Sequence, residues 1–506
     1  MPSTPPEQLV CTGIAGLDYV LSGGLPANHL YLVEGDPGTG KTTLGLQYLL
    51  SGLARGERGL YVTLSETKAE LRTVAASHGW SMEGIGLFEL ETLEQRLQAE
   101  QQYTVFHPSE IELGETTRSI CEQVERLEAT RVVFDSLSEM RLLARDPLRY
   151  RRQVLALKQF FAGRNCTVMM LDDRTSTETD LQLQSISHGV IVLERVANEY
   201  GGARRRLIVA KMRGLQFREG HHDFSIQRGG LQVFPRLVAA EHKQQPATPG
   251  AQPVREQGQS GIPQLDRLLG GGLHYGTSTL ALGPAGSGKS TLVTQFAVAL
   301  AAAGERVACY LFEETRENFL DRAAGLNLDL RTHIAEGRVT IDQIDPAEIS
   351  PGEFAHRVRT AVDTNGAGGK ARVVIIDSLN GYLNSMPSEN FLVIHMHELL
   401  MYLNERRVLT LMVLAQHGLL GAAMQTPVDV TYLADTVLLL RYFEAFGEVK
   451  QAIAVVKKRT GRHERSIREF RLSESGIQIG DALQEFEGVL TGVPAYTGAR
   501  EDLFKR

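Results

Sequence analysis

Two stretches of the 506-residue chain carry the spacing of a phosphate cradle: GDPGTGKTT at Gly35–Thr43 and GPAGSGKST at Gly283–Thr291. Both fit G-x-x-x-x-G-K-[ST]. Glycines let successive backbone N–H groups turn inward onto phosphate oxygens, and the helix that follows brings its positive end to the same anion. The chemistry implied is the binding of a nucleoside triphosphate. Gly38, Thr39, Gly40, Lys41, Thr42 and Thr43 would form the first cradle, and Gly286, Ser287, Gly288, Lys289, Ser290 and Thr291 the second. Lys41 and Lys289 have the reach for β- and γ-phosphates, while Thr42 and Ser290 offer a hydroxyl to Mg²⁺.

Carboxylates complete the two sets. Asp135 and Asp377 each close an apolar run, RVVFD and RVVIID. A carboxylate there would hold the Mg²⁺ shell; the plain alternative is a strand-end aspartate capping a turn. At the end of another apolar run stand Glu313–Glu314 in the second set and Ser65–Glu66 in the first. An acid at this place could take a proton from the water that attacks the γ-phosphate, so Glu66, Glu313 and Glu314 are the candidate bases. Glu313 is also a candidate metal ligand. Serine replaces the first acid in the first set, which predicts that the second is the better-equipped hydrolase.

The elements that must position these residues occur twice. TGIAGLDYVLSGGLP at Thr12–Pro26 returns as SGIPQLDRLLGGGLH at Ser260–His274, offset by 248 residues like the two cradles. YVTLSET returns as CYLFEET, RVVFDSL as RVVIIDSL, and AKMRG, more loosely, as VKKRTG. A period this long is a duplicated domain, not a solenoid repeat. The spacing predicts domains at 1–239 and 260–506, joined by the Pro- and Gln-rich linker 240–259. Leu30–Glu34, Leu60–Leu64, Val132–Asp135 and Val168–Leu171 read as buried strands between helices, as do Thr279–Leu282, Val307–Phe312, Val373–Asp377 and Leu409–Leu414. That pattern predicts an α/β fold, each half a mostly parallel sheet covered by helices on both faces.

Composition narrows the function classes. Apolar residues make up 42% and charged residues 22%, as in globular chains. Lys and Arg number 53 against 60 Asp and Glu, a net charge of −7, which argues against a nucleic-acid binder. The N-terminus has no basic-then-apolar leader, and no apolar run is long enough to span a membrane. Four scattered cysteines with no CxxC pair fit a reducing cytoplasm.

Taken together, GIAGLDYVLSGGLP, the cradle, the strand-end acids, VVFDSL and K-x-RG, present twice over, resemble the KaiC family of double-domain RecA-like ATPases of the cyanobacterial clock. The resemblance implies a homohexameric double ring with ATP between neighbouring subunits. It implies that Lys211 and Arg213, and Lys457 and Arg459, reach the neighbour's nucleotide. It also implies that Ser77 contacts nucleotide in the N-terminal ring; the matching residue of the second half is Gly325. The family phosphorylates itself on an adjacent Ser-Thr pair, and the corresponding residues here are Thr431–Tyr432, which leaves Thr431 as the candidate phosphosite. Other departures are Gln451, where the family tends to have arginine, and the chain's end at Arg506, which argues against a cyanobacterial-type activating partner while leaving another regulatory partner open. Gln416–His417 stand where RecA-like folds often place a γ-phosphate sensor. Two rival classes are a RadA- or DnaB-like DNA motor and a nucleotide-switched scaffold. DNA-stimulated turnover would mark the motor, and a ring that survives loss of Glu313 and Glu314 would mark the scaffold.

Overall fold

In the computed structural model, residues 8–89, 108–144, 146–174, 181–197, 201–242, 256–365, 369–384, 391–416, 431–490 and 494–497 are described. Most of the linker and His417 lie outside them. The chain divides into two compact units, Met1–Arg236 and Leu237–Arg506.

Runs of Leu, Val, Ile and Met make the central strands of unit 1, because side chains on both faces of a strand must be buried once helices cover the sheet. The strands are β1 (Leu30–Gly35), β2 (Gly59–Thr63), β3 (Gly86–Glu89), β4 (Arg131–Asp135), β5 (Thr167–Asp173), β6 (Gly189–Val196), β7 (Arg204–Met212), β8 (His222–Gln227) and β9 (Gly230–Phe234). They form one nine-stranded sheet in the order β9-β8-β7-β6-β1-β5-β4-β2-β3. Pairing is parallel from β6 through β1 to β3 and antiparallel from β6 to β9. Helices α1 (Lys41–Leu53) and α2 (Lys68–Ser77) cover one face, where Leu44, Leu49, Leu71 and Ala75 pack on Tyr61, Val133 and Leu171. On the other face lie α3 (Pro108–Leu127), α4 (Leu137–Ala144), α5 (Pro147–Ala162) and the short α6 (Leu181–Ile186).

Unit 2 repeats the plan with β10 (Ser278–Pro284), β11 (Val307–Leu311), β12 (Val339–Gln343), β13 (Val373–Asp377), β14 (Leu409–Gln416), β15 (Thr436–Ala445), β16 (Glu448–Lys458), β17 (Ile467–Ser473) and β18 (Gly476–Ala482). Its order, β18-β17-β16-β15-β10-β14-β13-β11-β12, matches that of unit 1 strand for strand. Helices α7 (Lys289–Ala302) and α8 (Arg316–Gly325) cover one face, and α9 (Pro351–Asp363), α10 (Leu379–Asn384) and α11 (Leu392–Glu405) the other. The expected pair of α/β domains with mostly parallel sheets is therefore what the chain forms. The antiparallel ribbon at one side of each sheet is an addition to the strands expected from the sequence.

Leu237 and Ala239, which precede the duplicated pattern of the second half, are buried in the core of unit 2. The Ala239 N–H donates to Glu398 Oε2 at 2.8 Å, and the His242 ring meets Tyr402 edge-on. Among the described residues, no helix is long and apolar enough to cross a membrane.

Candidate functional site

In both units the strand at the sheet's centre ends in the glycine-rich loop, and the loop ends in a helix N-terminus. Gly40 and Gly288, just before α1 and α7, have φ of 107° and 93°, a region that favours glycine. Space demands glycine as well. A Cβ on Gly40 would lie 2.6 Å from Ile226 Cδ1, and one on Gly288 would lie 2.6 Å from Phe470 Cε1. The antiparallel ribbon thus packs against each cradle from the side.

In unit 1 the parallel register sets Asp173 of β5 opposite Gly35 of β1. Lys41 is 7% exposed and pairs with Asp173 Oδ1 at 2.6 Å. Its Nζ also donates to Gly35 O at 2.8 Å and Asp36 O at 3.1 Å. Thr42 Oγ1 donates to Asp135 Oδ2 at 2.9 Å, and the buried Tyr61 hydroxyl donates to the same oxygen. Burial pushes the Asp135 carboxyl above its ordinary value, while Tyr61, Thr42 and the Lys41 charge pull it back. Glu66 follows a tight bend in which Thr63 Oγ1 bonds both its N–H and its carbonyl. Its Oε2 is buried without a hydrogen-bond partner. Burial, and then the charges of Asp135, Glu70 and Asp173, raise the Glu66 pKa.

Unit 2 has the same motif and different neighbours. Lys289 Nζ donates to Pro284 O at 2.6 Å. Burial lowers its pKa to about 8, against the opposing charges of Asp377 and Glu313. Ser290 hydrogen-bonds Asp377, whose carboxyl is raised by burial and by Glu314 and Glu313, and lowered by Ser290 and Arg322. Glu314 is held by Arg322 through two bonds, of 3.2 and 2.8 Å, and the same guanidinium lies 3.5 Å from Thr291 Oγ1. Cys309 stands where unit 1 has Tyr61, two residues before the β-bridge partner of the aspartate.

The face of the sheet away from α1 and α7 also differs. Unit 1 buries Glu34 with Gln184 at 2.9 Å, and Asp172 with Arg141 at 2.7 Å. By strand register, Leu282 and Leu414 take the places of Glu34 and Asp172 in unit 2.

The remaining candidates lie farther along each chain path. Lys211 Nζ caps the end of α6, donating to Gln184 O, Ser185 O and Ser187 O at 2.6, 3.3 and 2.8 Å, and Arg213 reaches Ser185 O at 3.1 Å. Lys457 does the same for the turn before β15, through Thr431 O at 2.9 Å and Ala434 O at 2.7 Å. Arg459 adds a bond to Tyr432 O at 3.1 Å and an ion pair with Asp435 at 3.5 Å. Within one chain, these four cations are thus brought to carbonyl-lined turns, and not to the chain's own cradle. Ser77 bonds back to Val74 O of its own helix. The next residue, His78, is the one that meets the cradle helix, at 3.4 Å from Thr43 Oγ1.

Sequence reasoning missed Asp173, Tyr61, Arg322 and His78. Only Asp173 left a signal, as a strand-end acid in an apolar run. Among the described residues, no three His, Cys, Asp or Glu side chains cluster to hold a metal by themselves. Mg²⁺ takes one or two carboxylates and completes its shell with water and substrate phosphates. The hydroxyl–carboxylate contacts Thr42–Asp135 and Ser290–Asp377 are a donor set of that kind.

Known proteins resemble this chain over nearly its whole length. The family model described as "ATPase: KaiC" matches residues 10–238 and again 258–484. The circadian clock protein KaiC3 of Synechocystis is 28% identical over 503 residues, covering 97% of this chain and 95% of the relative. The circadian clock oscillator protein KaiC of Parathermosynechococcus lividus is 29% identical over 493 residues, 96% of this chain and 87% of the relative. That of Synechococcus elongatus is 28% identical over 491 residues, 96% and 91% respectively.

Proposed function

We propose that this chain, which belongs to the KaiC ATPase family, binds ATP with Mg²⁺ at both cradles and hydrolyses it in a homohexameric double ring with nucleotide between neighbouring subunits. The observation that carries this reading is the doubled lysine, hydroxyl and aspartate at the end of a central strand. In unit 1 it is Lys41, and Thr42 at 2.9 Å from Asp135; in unit 2 it is Lys289, and Ser290 bonded to Asp377. Bound Mg²⁺ would offset the charge of the phosphates and polarise them. Thr42 with Asp135, and Ser290 with Asp377 and Glu313, would hold it.

The chain's own residues divide the rest of the work. The loop N–H groups of Gly38–Thr43 and Gly286–Thr291, with Lys41 and Lys289, bind phosphate oxygens and orient the triphosphate. Glu66 in unit 1, and Glu313 or Glu314 in unit 2, would accept the proton of the attacking water at a carboxylate oxygen. The raised Glu66 pKa supports that role, since a more basic carboxylate takes a proton more readily. Lys211, Arg213, Lys457 and Arg459 would turn toward a neighbour's nucleotide, which makes turnover depend on assembly. The two ATPase domains would be joined through the linker at 240–259. The setting would be the cytoplasm, with a regulatory protein as partner and circadian-type signalling as the output. Self-phosphorylation would use Thr431; its carbonyl is held by the same Lys457, so acceptor and trans cation meet at one turn.

Light scattering behind size exclusion, with and without ATP and Mg²⁺, tests the ring: nucleotide that binds only the assembled state drives assembly by mass action. A monomer under both conditions overturns the interfacial site. An ATPase rate unaffected by Lys41→Ala with Lys289→Ala overturns the cradles. Stimulation by DNA would point to the motor class instead.

A further inference from the structure

An ammonium group has three N–H donors and no acceptor. In unit 1 all three are engaged: Lys41 Nζ meets Gly35 O at 2.8 Å, Asp36 O at 3.1 Å and Asp173 Oδ1 at 2.6 Å. Two of these acceptors belong to the cradle itself. The third is a carboxylate from the neighbouring strand, placed by the register that sets Asp173 beside Gly35. A phosphate oxygen arriving at Nζ must take the place of one of them, and the carboxylate is the acceptor that most resembles it in charge and geometry.

We propose that Asp173 is an internal competitor for nucleotide phosphate at the N-terminal cradle, and that this makes the first site bind triphosphate more weakly than it otherwise would. The inference rests on the reading of Lys41 as a phosphate-holding lysine. Removing the competitor releases the ammonium and also removes a negative charge from beside the incoming phosphate. The carboxylate has somewhere to go when it is displaced. Asp173 is 27% exposed, and the Ser138 hydroxyl lies 3.5 Å from its other oxygen.

Unit 2 lacks the device. The same register places Ala415 beside Gly283. The counterpart of Ser138, Asn380, bonds the backbone N–H and carbonyl of Ala415, at 2.7 and 3.1 Å. Lys289 Nζ donates to the Pro284 carbonyl. Two cradles of one motif therefore differ by a carboxylate at one strand end.

The test is titration of the full chain with the non-hydrolysable triphosphate adenylyl imidodiphosphate and Mg²⁺ by calorimetry. A Lys289→Ala background isolates the first site, at fixed chain concentration. Asp173→Asn should tighten binding about tenfold, the range of one charge-assisted contact. Asp173→Ala should do the same if the asparagine variant melts early. A residue that only supports the loop would give no gain, so unchanged or weaker binding in both variants overturns the proposal. Lys41→Ala in the same background should weaken binding on the order of 10²-fold; if affinity is unchanged, the reading of the cradle fails, independently of Asp173. The converse variant, Ala415→Asp in a Lys41→Ala background, should weaken the second site about tenfold, and no weakening also counts against the proposal.

Discussion

The N-terminal site holds its lysine in an ion pair with Asp173 and leaves a buried oxygen of Glu66 without a partner. The C-terminal site does the reverse, fixing Glu314 on Arg322 while Lys289 meets a backbone carbonyl. Acids stand near both cradles, among them Asp135, Glu66 and Asp173 in one, and Asp377, Glu313 and Glu314 in the other. What changed between the copies is the strand end on which the third acid sits. Placed on β5, it occupies the lysine; placed after β11, it stands beside Asp377. The sequence pattern ranks the second copy as the better hydrolase because it has two adjacent acids. The geometry adds that one of those two is tied up by a guanidinium, and that the lone acid of the first copy is unpartnered and more basic than usual.

The sharpest way to break this comparison is to remove one carboxylate at a time with the other site silenced. With Lys289→Ala, Glu66→Gln should lower the remaining turnover by ~10²–10⁴-fold; with Lys41→Ala, Glu313→Gln should do likewise. Glu314→Gln should cost much less, because Arg322 already holds that carboxylate. Steady-state phosphate release measures all three. A larger loss from Glu314→Gln than from Glu313→Gln would reverse their roles.

The next effect concerns the strands that carry the aspartates. Arg131 begins β4, is 1% exposed, pairs with Glu57 and bonds Cys11 O and Tyr48 O at 2.8 Å each. Its counterpart Arg372 is 41% exposed and pairs with Glu256 and Glu305. Breaking a buried pair costs ~3–5 kcal/mol and an exposed one below about 1 kcal/mol. In urea, Arg131→Ala should therefore lower the unfolding midpoint far more than Arg372→Ala does.

Smaller again, Lys41→Ala and Lys289→Ala should each weaken nucleotide binding at one site on the order of 10²-fold, the worth of charge-assisted hydrogen bonds. Calorimetric stoichiometry should fall from two sites per chain to one.

The gentlest probe is pH. The Lys289 pKa is lowered from the ordinary 10.5 to about 8 by burial. Phosphate binds the charged form, so binding at the second site takes up a proton wherever the free lysine has lost one. Affinity there should fall up to about tenfold per pH unit above about 8, with more proton uptake in buffers of higher pH. A flat affinity between pH 7 and 9.5 in the Lys41→Ala background would contradict it.

Much of this was legible in the chain alone. Lys41, Thr42 and Asp135, like Lys289, Ser290 and Asp377, announce themselves through local spacing, and the doubled order of motifs announces two like domains. Asp173 could not be paired with Lys41 from sequence, because their contact depends on which strand lies beside β1 and in what register. Tyr61 looked like one more core aromatic; only the parallel pairing of β2 with β4 turns its hydroxyl onto Asp135. Arg322 lies eight residues beyond Glu314, and reaches back only because Thr315 caps α8 and sets the helix's direction. The antiparallel ribbons were hidden for a similar reason: their apolar runs, such as Leu207–Ala210, are short and flanked by charged residues such as Arg204–Arg206.

The burial of Leu237 and Ala239 bears on how the two halves can be separated. A gene fragment opening at Ser260, where the repeat begins, would omit both side chains and uncover the α11 surface they seal. By area, that seal is worth roughly 2–4 kcal/mol, a large fraction of a small domain's stability. A fragment opening at Leu237 carries its own N-terminal arm and is the one expected to stay soluble when excised. The stretch between the two copies has thus ceased to be a neutral spacer at its upstream end, and the downstream half has recruited it as a structural part.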